Sequence, residues 1–284
     1  MGADIPVKGS TAPRGDDELL AEARKGDAEA LEALLVRYQP HLYRFGLRMC
    51  GNVDDASDVT QESLMAMARS VRDFRGDASV TSWLYTIVRR LCLRKRRRSK
   101  FAPAHEESLD APGSTVVQRL ADPTPGPEQA VAGREIEAAL TMAIDHLDPG
   151  QREVLLLRDI EGLSAVEVAE VLEISVDAVK SRLHRARIAV RQQIAPLLGP
   201  RQAPPPTPQC PDVVTLFSQH LEGEIDRSVC AKMEAHLAQC GHCRGTCESL
   251  KRTLAFCRQS PAPDVPAPVA ASVRAAIQAF LAQR

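Results

Sequence analysis

The sequence is poor in aromatic residues and has no long hydrophobic run. Aromatic residues make up 4% of its 284 residues, and tryptophan occurs once. β-Sheets draw on aromatic and β-branched residues, and here the β-branched runs are short. Alanine, leucine, arginine and glutamate, which favour helices, are abundant. The composition therefore predicts an all-α fold.

Segments that would cross or target a membrane are also missing. No stretch approaches the roughly 20 apolar residues that a bilayer-spanning helix needs. The N-terminus carries Asp4, Asp16 and Asp17 and lacks the apolar core of a signal peptide. We therefore expect a cytoplasmic protein with no membrane partner. In that compartment cysteines more often bind metals or sense oxidants than form structural disulfides.

The usual signatures of catalysis are absent. The sequence has no phosphate-binding glycine loop, no nucleophile motif and no HExxH motif. The adjacent Asp54 and Asp55 are better interpreted as capping and docking groups at a helix start than as a general acid and base. The sequence therefore predicts no enzyme, no catalytic residue and no small-molecule substrate.

Charge is nearly balanced but unevenly placed. The chain has 36 Lys and Arg against 37 Asp and Glu, yet the charged residues within 89–100 are all basic. This run is either a solvated tail or a surface that binds the phosphate backbone of DNA. Because it continues an apolar helix, we favour DNA binding, with the candidate contacts Arg89, Arg90, Arg94 and Arg97.

Proline-rich stretches divide the chain. Residues 101–133 and 199–209 are predicted linkers, the first flexible and the second extended. The predicted organisation is a disordered tail (1–15), a helical domain (16–100), the first linker, a second helical domain (134–198), the second linker, a small helical Cys/His module (210–257) and a tail with a short helix (258–284).

Residues 134–198 contain the helix-start and turn signals of a helix-turn-helix. Asp148 and Pro149 are typical of a helix start. Ser164 and Glu167 have the spacing of a capping box, and residues 173–175 form a tight turn before a basic helix. The outer face of that helix offers the candidate DNA contacts Lys180, Ser181, Arg182, His184, Arg185 and Arg187. The alternative is a solvated basic face, and for His184 alone the two interpretations are evenly balanced.

A second constellation lies near the C-terminus. His236, Cys240 and Cys243 follow the pattern H-x3-C-x2-C, with Cys210 upstream. Four nitrogen and sulfur ligands suit zinc, and a block of about 50 residues gains folding energy from a metal. The alternative is that these cysteines are small buried hydrophobic groups.

The remaining cysteines exceed the needs of one site. They suit a resolving thiol, ligands for a softer ion such as copper, or plain packing. Packing is favoured for Cys50, Cys92 and Cys257, whereas sensing and packing stay open for Cys230 and Cys247.

Two sets of motifs resemble a known family. DVTQE (58–62), FRGDAS (74–79) and SWLYTIVR (82–89) resemble the second conserved region of sigma factors of the extracytoplasmic-function type. LDP (147–149), REVL (152–155), EGLS (161–164) and VKSRLHRAR (179–187) resemble their fourth region. The resemblance covers about 16–100 and 134–198.

The resemblance implies binding to core RNA polymerase, promoter recognition and initiation of transcription. It implies that the basic helix reads and melts the −10 element and that the helix-turn-helix reads the −35 element. Arg90 and Arg94 stand where the family usually has Asn and Asp, which leaves the −10 sequence open. The implied polymerase-binding residues are Asp55, Asp58, Gln61 and Glu62.

The Cys/His module resembles a zinc-binding anti-sigma fold, which usually belongs to a separate inhibitor protein. Our hypothesis is that the fused module controls the sigma portion in cis, through metal binding or thiol oxidation. A separate anti-sigma factor is a further expected partner. Two alternatives stay open: a conventional helix-turn-helix regulator with a metal-sensing domain, and a metal-storage or anti-sigma protein whose N-terminal part is a captive partner.

Overall fold

A computed structural model describes residues 14–74, 76, 79–101, 127–197, 207–259 and 265–282. All regular structure in these ranges is helical, which confirms the all-α prediction. The chain divides into two compact units. Unit 1 contains residues 1–95 and 264–284, and unit 2 contains residues 96–263.

Unit 1 is built from five helices among its described residues. A 3-10 turn, Val71–Asp73, follows the third of them. The helices are α1 (Asp16–Lys25), α2 (Ala28–Cys50), α3 (Val53–Ser70), α4 (Val80–Phe101, which runs past the unit boundary) and α12 (Ala267–Ala282).

Local capping explains where these helices begin and end. The side chain of Asp27 accepts hydrogen bonds from the first backbone N–H groups of α2. Gly51 ends the same helix with a φ of 87°, a conformation that suits glycine. Asn52 then caps α3 by accepting from the N–H of Asp55. Both ends of the α2–α3 connection are therefore specified locally.

Apolar residues at helical spacing form the core of unit 1. Leu34 and Leu42 of α2, Val59 and Leu64 of α3, and Leu84 of α4 are fully buried. The tail predicted to carry a short helix forms α12, which packs against α3. Among the described side chains of α12, Val273 is buried.

Unit 2 contains the remaining helices. Its described helices are α5 (Pro127–Asp145), α6 (Pro149–Leu155, continued by a π-helical turn, Leu156–Ile160), α7 (Ala165–Leu172), α8 (Val176–Ile194), α9 (Val213–Leu221), α10 (Arg227–Gln239) and α11 (Gly241–Gln259). Helix α5 begins inside the predicted first linker, whose residues 102–126 lie outside the described part of the chain. The last helices, α9 to α11, carry the C-terminal module, residues 210–257.

Among the described residues, none of the helices combines the length and the apolar character needed to cross a membrane.

Candidate nucleic-acid interface and metal centre

The predicted helix-turn-helix is formed by α7 and α8. Ser164 and Glu167 make the reciprocal bonds of a capping box at the start of α7. Glu173 has a φ of 57°, so the left-handed backbone that ends α7 is adopted by a non-glycine residue. Ser175 then caps α8 by accepting from the N–H of Ala178 at 3.1 Å. The turn is therefore held by backbone hydrogen bonds where α7 ends and by the side chain of Ser175 where α8 begins.

Helix α8 presents three distinct faces. Its apolar face points into unit 2 and is fully buried, with the residues Val179, Leu183, Ala186 and Val190. A second face keeps Ser181 and Arg185 exposed to solvent. The third face holds Lys180, His184 and Arg187, one helical turn apart, and packs against the C-terminal module.

Arg187 lies at the centre of a buried ion cluster. Its guanidinium donates to both carboxylate oxygens of Asp159, at 2.8 and 2.7 Å, and to Glu222 of the module at 2.9 Å. Arg158 also donates to Glu222, at 3.1 Å. Burial disfavours the charge of Arg187, but Asp159 and Glu222 outweigh it and raise its pKa.

This cluster corrects the prediction that Arg187 contacts DNA. Only 1% of the residue is exposed, so its guanidinium cannot reach a phosphate or a base. A buried charge needs a partner, and Asp159 supplies one through two parallel hydrogen bonds. Arg187 therefore acts inside the fold.

Two more predicted DNA contacts touch the module. The Nζ of Lys180 lies 3.0 Å from the carboxylate of Glu224, and the Nε2 of His184 lies 3.2 Å from the hydroxyl of Thr215. Arg182 is half-buried, and its guanidinium lies over Gly150. Of the predicted set on α8, Ser181 and Arg185 are the exposed members.

The basic helix α4 forms ion pairs with acidic residues of α3. Arg94 binds Glu62 of α3 at 2.5 Å, and Lys95 binds Asp58 at 2.6 Å and Asp55 at 3.0 Å. Three of the residues predicted to bind polymerase therefore pair with α4. The side chain of Asp58 is 63% exposed, so these pairs lie at the surface and contribute little to stability.

Hydrogen bonding lowers the pKa of one of these acids, Asp55. The side-chain amide of Asn52 donates to Asp55 and lowers the pKa of its carboxyl, and Lys95 adds to the effect. Gln61 is half-buried on the same helix. The Asp55 carboxylate is therefore held ionised beside α4.

The other α4 residues fall into two groups. Arg90 is exposed and Arg89 is half-buried. The side chain of Arg97 lies outside the described residues. Trp83 is half-buried and packs on Phe74, with ring centroids 4.8 Å apart.

The four predicted metal ligands converge. The ligand atoms of Cys210, His236, Cys240 and Cys243 all lie within 4.8 Å of one another. The Sγ atoms of Cys210 and Cys240 are 3.7 Å apart, and the Nε2 of His236 is 3.2 Å from the Sγ of Cys243. The segment before α9 supplies the first ligand, and the junction of α10 with α11 supplies the other three.

The geometry of this cluster fits a tetrahedral ion. Zinc–sulfur bonds of about 2.3 Å place two tetrahedral sulfurs about 3.8 Å apart, close to the observed separation. A hydrogen bond from the Thr207 hydroxyl, supported by its backbone N–H, lowers the pKa of Cys210 to about 6. Burial raises the pKa of Cys243 to about 12. The set is therefore compatible with a metal centre.

The other cysteines of the module have separate roles. Cys247 is buried in an apolar cluster with Phe217, Leu250 and Leu254, and burial raises its pKa. This contact supports packing, one of the two interpretations left open. Cys257 is also buried, whereas the Sγ of Cys230 lies 3.4 Å from the Nδ1 of His220.

The prediction of simple packing for Cys50 and Cys92 is wrong, because the two residues form a disulfide in unit 1. They are 42 positions apart in the chain, so local spacing carried no signal of the contact.

Sequence reasoning also missed Arg158, Asp159 and Glu222. The only hint was a charged pair, Arg158 and Asp159, directly after the buried run Val154–Leu157. A charge at an inward position of a helix calls for a partner, but the sequence does not say which one.

Family profiles match three parts of the chain. Residues 34–101 match Sigma-70 region 2, and residues 137–190 match Sigma-70 region 4. Residues 210–244 match the family described as "Putative zinc-finger".

Several curated proteins are similar to the chain. The RNA polymerase sigma-H factor of Pseudomonas aeruginosa is 31% identical over 188 residues, 64% of this chain and 95% of that protein. The ECF RNA polymerase sigma factor SigW of Bacillus subtilis is 30% identical over 181 residues, 63% of this chain and 96% of that protein. The ECF RNA polymerase sigma-E factor of Haemophilus influenzae is 31% identical over 185 residues, 64% and 97% of the respective chains.

Proposed function

The chain belongs to the extracytoplasmic-function RNA polymerase sigma factors, and on that premise we propose that it acts in the cytoplasm, where it binds core RNA polymerase and promoter DNA and initiates transcription. The main support for this proposal is that sigma region 2 and sigma region 4 both occur, in that order along the chain. Each region contains a helix that bears exposed cations. The C-terminal module is an added element outside those regions. We assign the chain no catalytic step of its own.

Each surface has a role in this proposal. The acidic face of α3, with Asp55, Asp58 and Glu62, docks on polymerase and exchanges its α4 partners for those of the enzyme. The exposed residue Arg90, midway along α4, binds the −10 region. Ser181 and Arg185 of α8 face the −35 region, because they stay exposed on the recognition helix.

We infer that the metal centre binds zinc. Cys210, His236, Cys240 and Cys243 would hold the ion, and the bound ion would supply a cross-link between the start of α9 and the α10–α11 junction. Three thiolates and one imidazole suit zinc better than a hard cation. The module has a small apolar core, in which Phe217, Leu250 and Leu254 participate, so such a cross-link adds substantially to its stability.

The same module is proposed to regulate α8 in cis. It places Glu224 on Lys180 and Thr215 on His184, and these are two of the residues predicted to contact DNA. A side chain held by the module is not available to a phosphate or a base. Promoter binding is therefore weaker while the module is seated.

The metal centre and the α8 contact are physically linked. Thr215 lies five residues after the ligand Cys210, on the first turn of α9. Phe217 anchors the same helix to α11. Loss of the ion would free the start of α9, and the contact with His184 would loosen first.

Run-off transcription with core polymerase and a selected promoter pool tests both parts. Full-length protein should bind the core enzyme without DNA and give defined start sites. The double variant Glu222→Gln and Glu224→Gln should give several-fold more product than wild type in the presence of zinc. In that variant Arg187 keeps Asp159, so unit 2 stays folded.

Glu234→Gln is the matched control, because Glu234 is an exposed acid of the module on α10. It should behave as wild type. If the chain fails to bind core polymerase but still binds DNA, a conventional helix-turn-helix regulator is the better description. If the double variant and wild type respond identically at every zinc level, regulation in cis is wrong while the sigma function stands.

A further inference from the structure

We propose that Cys50 and Cys92 form a reversible, oxidant-responsive disulfide that staples unit 1, separate from the metal centre. The proposed function assigns no role to these two residues. The proposal rests on three features: their position in the fold, the partial exposure of one of the two residues, and the loop that the bond encloses.

The backbone already has the geometry of the cross-link. Cys50 is the last residue of α2, and Cys92 lies on α4. Their Cα atoms are 5.3 Å apart, within the range that disulfides occupy. The packing of α2 against α4 therefore holds the two cysteines at a separation that a disulfide can bridge.

The two thiols differ in access. Cys50 is half-buried at the end of its helix, whereas Cys92 is fully buried. An oxidant therefore reaches Cys50 first. With hydrogen peroxide as the oxidant, the Cys50 thiolate attacks one peroxide oxygen, becomes a sulfenic acid, and the other oxygen leaves as water.

Cys92 then resolves the intermediate. Its sulfur attacks the sulfenic sulfur of Cys50, the S–S bond forms, and the hydroxyl leaves with a proton as a second water. In total two thiols lose two electrons and two protons, and one peroxide becomes two waters. A dithiol reductant reverses the step by thiol–disulfide exchange.

The bond would enclose the whole of α3. The two cysteines are 42 positions apart, and α3, the helix with the acidic face, lies between them in the chain. A cross-link of this span stabilises mainly by restricting the unfolded chain. It also fixes α4 within one turn of Arg94 and Lys95, whose ion pairs with α3 are exposed to salt.

The metal centre uses other cysteines in unit 2, so the two thiol groups can be tested apart. Full-length protein is incubated with excess zinc, which occupies the Cys210 cluster, and is then exposed to hydrogen peroxide or to dithiothreitol. A non-reduced digest is mapped by mass spectrometry, and free thiols are counted after denaturation. Trp83 is the single tryptophan and lies in unit 1, so its fluorescence reports the melting of that unit.

We expect a peptide that links Cys50 to Cys92 and a loss of two thiols. The oxidised protein should melt in the Trp83 signal about 5 °C or more above the reduced protein, and dithiothreitol should reverse the shift. Cys92→Ala should lose both the link and the shift. Cys230→Ser, the matched control, should retain both.

Contrary results are distinct. If Cys50 and Cys92 keep free thiols while other cysteines react, the pair is packing only. If Cys50 links to another cysteine, the assigned site is wrong. If the bond forms without a change in melting, it is not a staple. None of these readouts requires polymerase or DNA, so they do not depend on the proposed function.

Discussion

Helices α4 and α8 look alike in sequence, since each is apolar on one side and cationic on another. They differ in where their ion pairs lie: at the surface on α4 and in the interior on α8. On α4, Arg94 and Lys95 pair with the exposed acids Glu62 and Asp58. On α8, Arg187 pairs with Asp159 in a site where the two side chains are 1% and 0% exposed.

This difference determines which cations can exchange their carboxylate for a phosphate. An exposed pair is screened by water and salt, so exchanging one partner for a phosphate costs little. A buried arginine that loses its carboxylate leaves an uncompensated charge in a low dielectric. An exposed cation of α4 or α8 can therefore exchange its partner at little cost, whereas Arg187 cannot.

The largest expected effect comes from breaking the buried pair. Asp159→Asn should lower the free energy of unfolding of unit 2 by about 3–5 kcal/mol, because Arg187 loses its bidentate partner. Chemical denaturation followed by circular dichroism measures the change. Asp177→Asn, an exposed acid at the start of α8, is the control, and equal losses in both variants would contradict the structural role of Arg187.

The second prediction separates DNA contact from structure on α8. Arg185→Ala should weaken binding to a −35 duplex by about 1–3 kcal/mol, while the melting temperature stays unchanged. Fluorescence anisotropy with a labelled duplex measures the affinity. If the variant binds as tightly as wild type, the exposed face of α8 is not the recognition face.

Metal removal should act on α8 alone. Chelation frees Lys180 and His184 from the module, so binding to the −35 duplex should strengthen several-fold, about 1 kcal/mol. Binding of a −10 strand by the α4 surface should not change. Wild type and Cys240→Ser, each with and without zinc, can be compared by anisotropy, and the variant should behave as the metal-free protein under both conditions. A parallel change at both DNA elements would show that the metal effect is not local to α8.

The smallest stability effect belongs to α4. Glu62→Gln removes the partner of Arg94, and because the pair is exposed the free energy of unfolding should change by less than about 1 kcal/mol. Binding to core polymerase should nevertheless weaken, and surface plasmon resonance can measure it. A strongly destabilised variant would mean that the ion pair of α4 contributes to stability as much as the buried pair of α8 does.

Much of the candidate site followed from sequence because it depends on neighbours in the chain. The capping box of Ser164 and Glu167 and the turn that ends at Ser175 are short-range patterns, and the structure forms them. His236, Cys240 and Cys243 span eight positions, so their convergence follows from one helical turn and a tight junction. Cys210 was the one member of the cluster that is distant in the chain.

The errors share a different cause. The sequence predicts that Arg187 lies on the outer surface with the other basic residues of the recognition helix, but the module covers that side of the helix. Glu222, which lies 35 positions away, determines its environment. Cys50 and Cys92 meet across 42 positions. No local rule specifies such pairs, because they arise from how helices pack.

The sequence by itself determined the helical class, the two sigma regions and their order, the start of the recognition helix and the members of the Cys/His cluster. These features rest on propensity, capping and short-range spacing, which act between residues a few positions apart. Only the tertiary structure decided which cations remain exposed, where the module is seated on α8, and which cysteines meet. Burial and charge pairing are properties of packed surfaces, and residues far apart in the chain create those surfaces together.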